Sequence, residues 1–297
     1  MDILPQLLVN ALITGSIYAL ISSGLSLTYG QLRILNFGHG HVMMVGAYIY
    51  YLFSVLQGFG AVLAGVLCVI AAGMLAMFTL RVFILPFATY SVLLPLVTTL
   101  AFGTIAESLI SMIFGVNVKS LSVGEVAKSI EIYGVYITPI QIVIIASAVV
   151  LLCLLAFIIH YCSVGRRLRA LSQHEYAARA LGVNQRLMYH GVFTVSVLLA
   201  VYAGILVGLE TNIQPTMGNA YTIKAFAAMI LGGLGNVWGT VVGSYILGLV
   251  ENLSIGLEFG GVSIPAGYKD AFAFLVILIV LLFKPEGIFT KRQRKGV

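Results

Sequence analysis

Long apolar segments recur along this chain of 297 residues, and they constrain its fold more than any other feature. Each is close to the roughly 20 residues that a helix needs to cross the hydrocarbon core of a bilayer. Seven clear segments lie at 6–29, 40–56, 60–84, 92–115, 138–160, 187–209 and 267–284. An eighth stretch, 222–254, is long enough for one helix or for two. The pattern predicts an all-α polytopic membrane protein with about eight to nine transmembrane or re-entrant helices.

Composition excludes a soluble protein. Hydrophobic residues make up 60% of the chain and charged residues only 9%, whereas soluble domains carry about 25% charged residues. We therefore expect one transmembrane domain over 1–297, with a net charge of +6 that reflects loops facing anionic lipid rather than nucleic acid. The three cysteines are far apart in apolar surroundings, and the five histidines do not cluster, so we expect neither a disulfide framework nor a bound metal.

A glycine cluster interrupts the eighth apolar stretch. Gly232, Gly233, Gly235 and Asn236 surround a single leucine, and each glycine inside a helix costs about 1 kcal/mol relative to alanine. The sequence therefore predicts that 232–236 is not continuous α-helix. Whether 222–254 forms two spans or a re-entrant element stays open at this point.

The distribution of positive charge predicts the orientation. An external N-terminus and an even number of crossings at 222–254 place twelve of the 16 Lys and Arg on the cytoplasmic side, as the positive-inside rule favours. A single span there would divide them evenly. The arrangement predicts an external loop at 116–137, which has the alternation of a short hairpin, and a cytoplasmic tail at 284–297. The four external cations are Lys119, Lys128, Lys224 and Lys269.

The stretch 163–186 is basic and lies between two apolar segments, so we expect it in the cytoplasm. Its small residues predict a short helix that another protein packs against, with Ala177, Ala178 and Leu181 on one face and Gly182 ending the helix. A solvated basic loop that only sets the topology is the alternative.

Polar residues within the apolar segments mark candidate sites for solute passage. Glu107 is the one carboxylate well inside a clear segment, and it either packs against a neighbouring helix or lies beside the pathway. Two sets of residues are candidates for broken helices at a pathway. They are Asn36, Gly38, His39 and Gly40, and Gly232, Gly233, Gly235 and Asn236.

Catalytic constellations and a phosphate-binding Gly-Lys motif are missing from the sequence. We therefore expect a transport protein rather than an enzyme, with no cofactor bound by this chain.

Several motifs together resemble a known family. They are GSIYALISSGLSLTYGQLRILNFGHG near the start, AARALGVN, GNAYTIKAFAAMILGGLGNVWGTVVG, and YKDAFAFLVILIVLLFKPEGIF near the end. In this order they are similar to the permeases of branched-chain amino acid ABC importers, and the first motif is like that of the LivH-type subunit. The resemblance implies an importer permease of a bacterial inner membrane that translocates amino acids, most simply Leu, Ile or Val.

The resemblance also implies partners. These are a second homologous permease in a heterodimer, two cytoplasmic ATPases that use ATP, and an extracytoplasmic solute-binding protein. The family's coupling helix falls at about 172–184, which assigns ATPase contact to Glu175, Ala177, Ala178, Arg179, Leu181 and Gly182. Tyr176 departs from the pattern, because importer permeases place Glu there. A urea or broader amino acid permease is an alternative, and a stand-alone secondary transporter or channel is another.

Overall fold

The computed structural model describes residues 3–91, 93–121, 129–132, 134–255, 258–259, 262–263 and 266–289. The described residues form twelve α-helices. They are α1 Leu4–Leu32, α2 His39–Tyr51, α3 Ala61–Thr79, α4 Leu85–Ala88, α5 Leu94–Phe114, α6 Pro139–Tyr161, α7 Ser163–Gln173, α8 Glu175–Ala180, α9 Gln185–Glu210, α10 Met217–Gly232, α11 Val237–Ile255 and α12 Lys269–Phe283. The all-α prediction is confirmed.

Short elements complete the described fold. Single π turns at Leu52–Leu56 and Leu80–Ile84 continue α2 and α3, and Ala266–Tyr268 is a 3₁₀ turn. Two antiparallel strand pairs are present, β1 Ile130–Ile132 with β2 Val135–Ile137, and β3 Glu258–Phe259 with β4 Val262–Ser263. The first pair confirms the hairpin predicted within 116–137.

Among the described residues, five helical segments are long and apolar enough to cross a bilayer, namely α1, α3 continued through α4, α5, α6 and α9. The bent pair α10 and α11 passes the same test as a unit, which gives six, and α12 is a shorter apolar helix. Six candidate spans are fewer than the expected eight to nine helices, a number reached only when the shorter helices α2 and α12 are included.

Helix α1 lies at the centre of the bundle. Its residues from Gly15 to Thr28 are all buried, as expected of a helix that has neighbours on every side. Gly24 packs on the backbone of Ser196 in α9, and Gly15 packs on Tyr245 in α11. Small residues of this kind allow helices to approach closely where lipid supplies no hydrophobic driving force.

The glycine cluster reverses the chain between α10 and α11. Helix α10 ends at Gly232, α11 begins at Val237, and their axes bend by 117°. Gly233 has φ 110° and Gly235 has φ 79°, in the left-handed region that favours glycine. Gly235 packs on Gly30 near the end of α1, and α11 then returns along α1 in the antiparallel direction. The predicted break at 232–236 is confirmed.

The bundle has two ends that differ in character. The basic end carries Arg33, helices α7 and α8 and the 233–236 turn, and there the Ile288 amide donates to the Leu231 carbonyl at 2.9 Å. The hairpin end carries the start of α1 and strands β1 and β2, joined because Gln6 exchanges two hydrogen bonds with the Tyr136 backbone. Residues 4 and 288 therefore lie at opposite ends of the bundle.

Candidate translocation pathway and docking helix

The chain returns into the bundle after α1 instead of starting a full second span. It turns at Arg33, and α2 begins at His39 beside the middle of α1. The His39 Nε2 atom lies 3.0 Å from the Ile21 carbonyl oxygen, which is about 16 Å along α1 from its end at Leu32. Residues 33–38 are thus non-helical backbone that leads from the basic end into the bundle, where its polar groups must be sheltered by protein. The chain is non-helical at the predicted position, and a pathway beside these residues stays a prediction.

Contacts from α5 and α10 provide this shelter. The Phe37 amide donates to Thr99 Oγ1 at 3.1 Å. The Phe37 ring stacks on the Phe226 ring, with their centroids 4.3 Å apart. The Gly40 amide donates to Thr222 Oγ1 at 3.1 Å. The backbone groups freed by the break are therefore bonded to side chains of two other helices.

The predicted residues in this segment face inward. Asn36 and His39 are 3% and 1% exposed, and Asn36 Oδ1 accepts from the Gly38 amide at 3.0 Å. Gly38 and Gly40 lie where a Cβ would meet the backbone of α5 and α10. All four residues hold the backbone in place rather than present side chains to a solute.

Glu107 on α5 meets residues of α2 and α10. The Asn219 Nδ2 atom donates to Glu107 Oε2 at 3.0 Å, and His41 Nε2 lies 3.6 Å from the same oxygen. His41 is buried between Gly103 and Gly218, where an added Cβ would lie 2.6 Å and 2.9 Å from the ring. Sequence reasoning selected Glu107 but missed Asn219 and His41. His41 lies in the NFGHGH motif, from which Asn36, Gly38, His39 and Gly40 were selected.

This contact opens onto a polar surface at mid-span. The Glu107 side chain is 25% exposed, and Asn219 is exposed beside it. Thr104 and Ser108 are also exposed; they lie four residues apart on α5, with Thr104 three residues before Glu107 and Ser108 directly after it. We name Thr104, Glu107, Ser108 and Asn219 the Glu107 strip.

The second predicted set of pathway residues lies elsewhere, at the basic end. Gly232 packs against Gly239, so that the two helices touch through their backbones. Asn236 Oδ1 accepts from the Gly239 amide at 3.2 Å, and its Nδ2 donates to the Phe289 carbonyl at 3.1 Å. Gly233 and Gly235 form the turn itself. The structure therefore does not bring the two predicted sets together.

An ion cluster that sequence reasoning missed joins four helices. Lys224, counted among the external cations, lies within α10 with only 11% of its side chain exposed. Its Nζ atom is 2.8 Å from Tyr18 Oη, 3.3 Å from Glu251 Oε1 and 3.0 Å from Asp270 Oδ1. Lys224 is therefore an ion-pair residue within the bundle, and the side of the membrane to which it belongs stays a prediction.

The basic stretch 163–186 contains two helices. Helix α7 buries Leu168 and Leu171, and α8 follows after His174. The Val183 amide donates to the Ala178 carbonyl at 3.1 Å and the Gly182 amide to the Arg179 carbonyl at 3.0 Å. With Gly182 at φ 83°, these bonds form a Schellman motif. The prediction that Gly182 ends the helix is confirmed.

The predicted face of this helix is wrong. Ala178 is 3% exposed and packs on the bundle, whereas Leu181 is 85% exposed and Ala177 is also exposed. The reason is that α8 stops at Ala180, and the reversal at Gly182 turns Leu181 outward. Tyr176, which sequence reasoning treated only as a departure from the family pattern, is also 85% exposed.

Helix α8 is fixed to the start of α9. Gln185 Nε2 donates to Glu175 Oε1 at 2.8 Å, and Arg179 Nη1 lies 3.5 Å from the same oxygen. Glu175 and Arg179 therefore orient the helix that displays Tyr176, Ala177 and Leu181.

Comparisons with known proteins identify the family. Residues 7–281 match the model of the branched-chain amino acid transport system permease component. The high-affinity branched-chain amino acid permease protein BraD of Pseudomonas aeruginosa is 30% identical over 305 residues, covering 98% of this chain and 97% of that protein. LivH of Escherichia coli K12, described as the same kind of permease protein, is 30% identical with the same coverage.

A solved structure supports the fold. The chain is similar to one of PsaBC from Streptococcus pneumoniae, with a TM-score of 0.52, 15% identity and coverage of 96% of this chain and 93% of that one. At this identity the likeness concerns the fold alone. The family match and the nearly full-length relatives place the chain in the branched-chain amino acid ABC transport permease family.

Proposed function

We propose that this chain is one permease subunit of an ATP-driven importer of branched-chain amino acids in a bacterial inner membrane. A second homologous permease completes a heterodimer, two ATPase subunits hydrolyse ATP, and an extracytoplasmic binding protein delivers the solute. The proposed substrate is that of the relatives BraD and LivH, which align over nearly the whole chain. This chain catalyses no reaction and binds no cofactor in the proposal.

The basic end faces the cytoplasm in this proposal. Cationic side chains gather at that end, as the positive-inside rule requires. They are Arg33, Arg81, Arg166, Arg167, Arg169, Arg179, Arg186 and Lys284. The hairpin end then faces the binding protein, with the N-terminus outside and the C-terminus inside.

The Glu107 strip is the observation that carries the proposed pathway. Hydrocarbon offers no hydrogen-bonding partner to the Glu107 carboxylate or the Asn219 amide, so an exposed polar strip at mid-span is unfavourable against lipid. It is accommodated where it lines a water-filled path or meets a second permease. Glu107 then offers an acceptor for the ammonium group of an amino acid, with Asn219 and buried His41 holding its carboxylate.

Helix α8 is the proposed contact with an ATPase. Tyr176 and Leu181 are large side chains that extend from a short helix into solvent at the basic end. An aromatic and an aliphatic anchor of this kind are typical of the energetic centre of an interface. Glu175 and Arg179 keep the two anchors in a fixed orientation.

Uptake of labelled leucine tests the proposal. Cells that lack their own branched-chain transporters receive this chain with the second permease, the ATPase subunits and the binding protein, and unlabelled leucine, valine and urea are added as competitors. We expect ATP-dependent uptake that leucine and valine inhibit and urea does not. Uptake that persists without the ATPase subunits would instead favour a stand-alone transporter, and inhibition by urea would change the substrate assignment.

A further inference from the structure

A cavity of about 630 Å³ at the basic end is lined by basic side chains. It lies between the end of α1, the end of α6, helix α7 and the turn that precedes α11. Arg33, His160, Arg169 and His174 contribute to its wall, and none of the lining residues is acidic. The cavity is within the size range of small-molecule sites and attracts an anion.

Polar groups on the cavity wall lack partners. No acceptor within the described part of the chain contacts the Arg33 guanidinium, and the buried Gln31 Oε1 has no hydrogen bond there. Arg169 reaches only the His160 carbonyl, at 3.3 Å. Arg33 is the one non-glycine residue with positive φ among the described residues, at 55°. This conformation is the left-handed C-cap of α1, in which the Arg33 amide donates to the Tyr29 carbonyl at 2.9 Å, and it fixes where the side chain leaves the helix.

An apolar crevice adjoins the basic cavity. The two spaces share Leu27, Ile159 and Leu168, and the crevice, about 80 Å³, is lined by apolar side chains and Gly191. An apolar groove of about 530 Å³ between α6 and α9 follows, and it shares a further set of residues with the crevice. The shared residues are Leu155, Ile158 and Val195.

The length of this path fits one acyl chain. From His160 to Ser147, which line its two extremes, α6 rises by about 20 Å. One leaflet supplies about half of the roughly 30 Å hydrocarbon core, so a single acyl chain fills the path. A basic cavity at one end and a long apolar groove behind it match an anionic head with an apolar tail.

We propose that one anionic phospholipid occupies this path, with its phosphate between Arg33 and Arg169 and one acyl chain in the crevice and the α6–α9 groove. Arginine forms charge-assisted hydrogen bonds with phosphate. If the basic end faces the cytoplasm, as proposed above, this lipid belongs to the inner leaflet. The binding of the lipid does not depend on that orientation. The lipid head contacts α7, which supports docking helix α8, and the turn before α11.

The test uses the complete transporter in nanodiscs of phosphatidylcholine, with and without phosphatidylglycerol, and native mass spectrometry of the lipid that stays bound. We expect one retained phosphatidylglycerol per copy of this chain. Arg33→Gln with Arg169→Gln should weaken retention by roughly tenfold or more, because two charge-assisted contacts are lost. Arg166→Gln with Arg167→Gln removes equal charge from exposed positions of the same region and should leave retention unchanged.

A second pair of variants tests the tail. Gly191 lines the crevice with open space around it, so Gly191→Phe should fill the crevice and release the lipid. Gly73, also in open space but on α3, supplies the control Gly73→Phe. The transporters with Gly191→Phe and with Gly73→Phe must both keep their ATPase subunits for the comparison. If the Arg33→Gln with Arg169→Gln variant does not assemble, Arg33→Lys replaces it as the conservative variant.

Three outcomes would overturn the proposal. Retention that is equal in all variants would mean bulk lipid contact. Binding of inorganic phosphate that matches the lipid in affinity and ignores Gly191→Phe would mean a site for a free anion. Occupation of the α6–α9 groove by a helix of the second permease, seen as crosslinks to that subunit, would exclude the acyl chain. Absence of leucine uptake together with normal lipid retention would contradict the transport proposal and leave the lipid proposal standing.

Discussion

Removal of the positive charge of Lys224 from the ion cluster should lower the temperature at which the protein unfolds. Lys224→Met leaves Glu251, which is 2% exposed, without its cation and beside Asp270. Breaking one side of a buried ion pair costs about 3–5 kcal/mol, because a charge remains buried without compensation. At about 2–4 °C per kcal/mol for a chain of this size class, the midpoint of thermal unfolding should fall by roughly 10 °C.

The double variant Lys224→Met with Glu251→Leu distinguishes an ion pair from simple packing. Replacing both charges by apolar side chains removes the uncompensated charge, so the double variant should be more stable than Lys224→Met alone. Lys119→Met is the control, since the Lys119 side chain makes no ion pair within the described residues. The assay is thermal unfolding of the purified chain in detergent. A single variant that melts with the control, or a double variant that loses the sum of both single changes, would refute the reasoning.

Three further changes have defined outcomes. Glu107→Gln should keep most of the maximal leucine uptake, because an amide oxygen still accepts the Asn219 hydrogen bond and an ATP-driven cycle needs no proton. The leucine concentration for half-maximal uptake should rise, because the negative charge opposite the ammonium group is lost, and abolished uptake at a normal membrane level would show that the cycle itself requires the charge. Leu181→Asp should weaken ATPase co-purification by about thirtyfold, the effect of a 2 kcal/mol anchor, without lowering the level of this chain. Gly40→Ala should destabilise by about 1–3 kcal/mol in unfolding assays, whereas Gly65→Ala, in open space, should not.

The sequence predicted features that depend on local composition. The apolar segments marked the spans, and the glycines at 232–236 marked the reversal because their backbone tolerates the left-handed region. Gly182 predicted the end of α8 for the same reason. These signals need no knowledge of which helices are neighbours.

Features that depend on tertiary neighbours were not predictable. A charged residue near an apolar segment usually marks a loop, and only the approach of Glu251 and Asp270 makes the burial of Lys224 favourable. The outward position of Leu181 depends on how α8 rests against the bundle. Asn219 reaches Glu107 because α10 crosses α5 at that height, which no local pattern encodes.

The late start of α2 has a consequence for biogenesis. Helix α2 with its π turn Leu52–Leu56 has 18 residues, at the lower end of the length that spans a bilayer, and the backbone groups of the six non-helical residues before it need partners from other helices. Its first turn is held by Thr222, which the ribosome adds more than 180 residues later. The nascent segment must therefore remain protected beside α1, at the translocon or by an insertase, until α10 has been synthesised. Truncated chains that end before residue 217 should accordingly be substrates for membrane proteases.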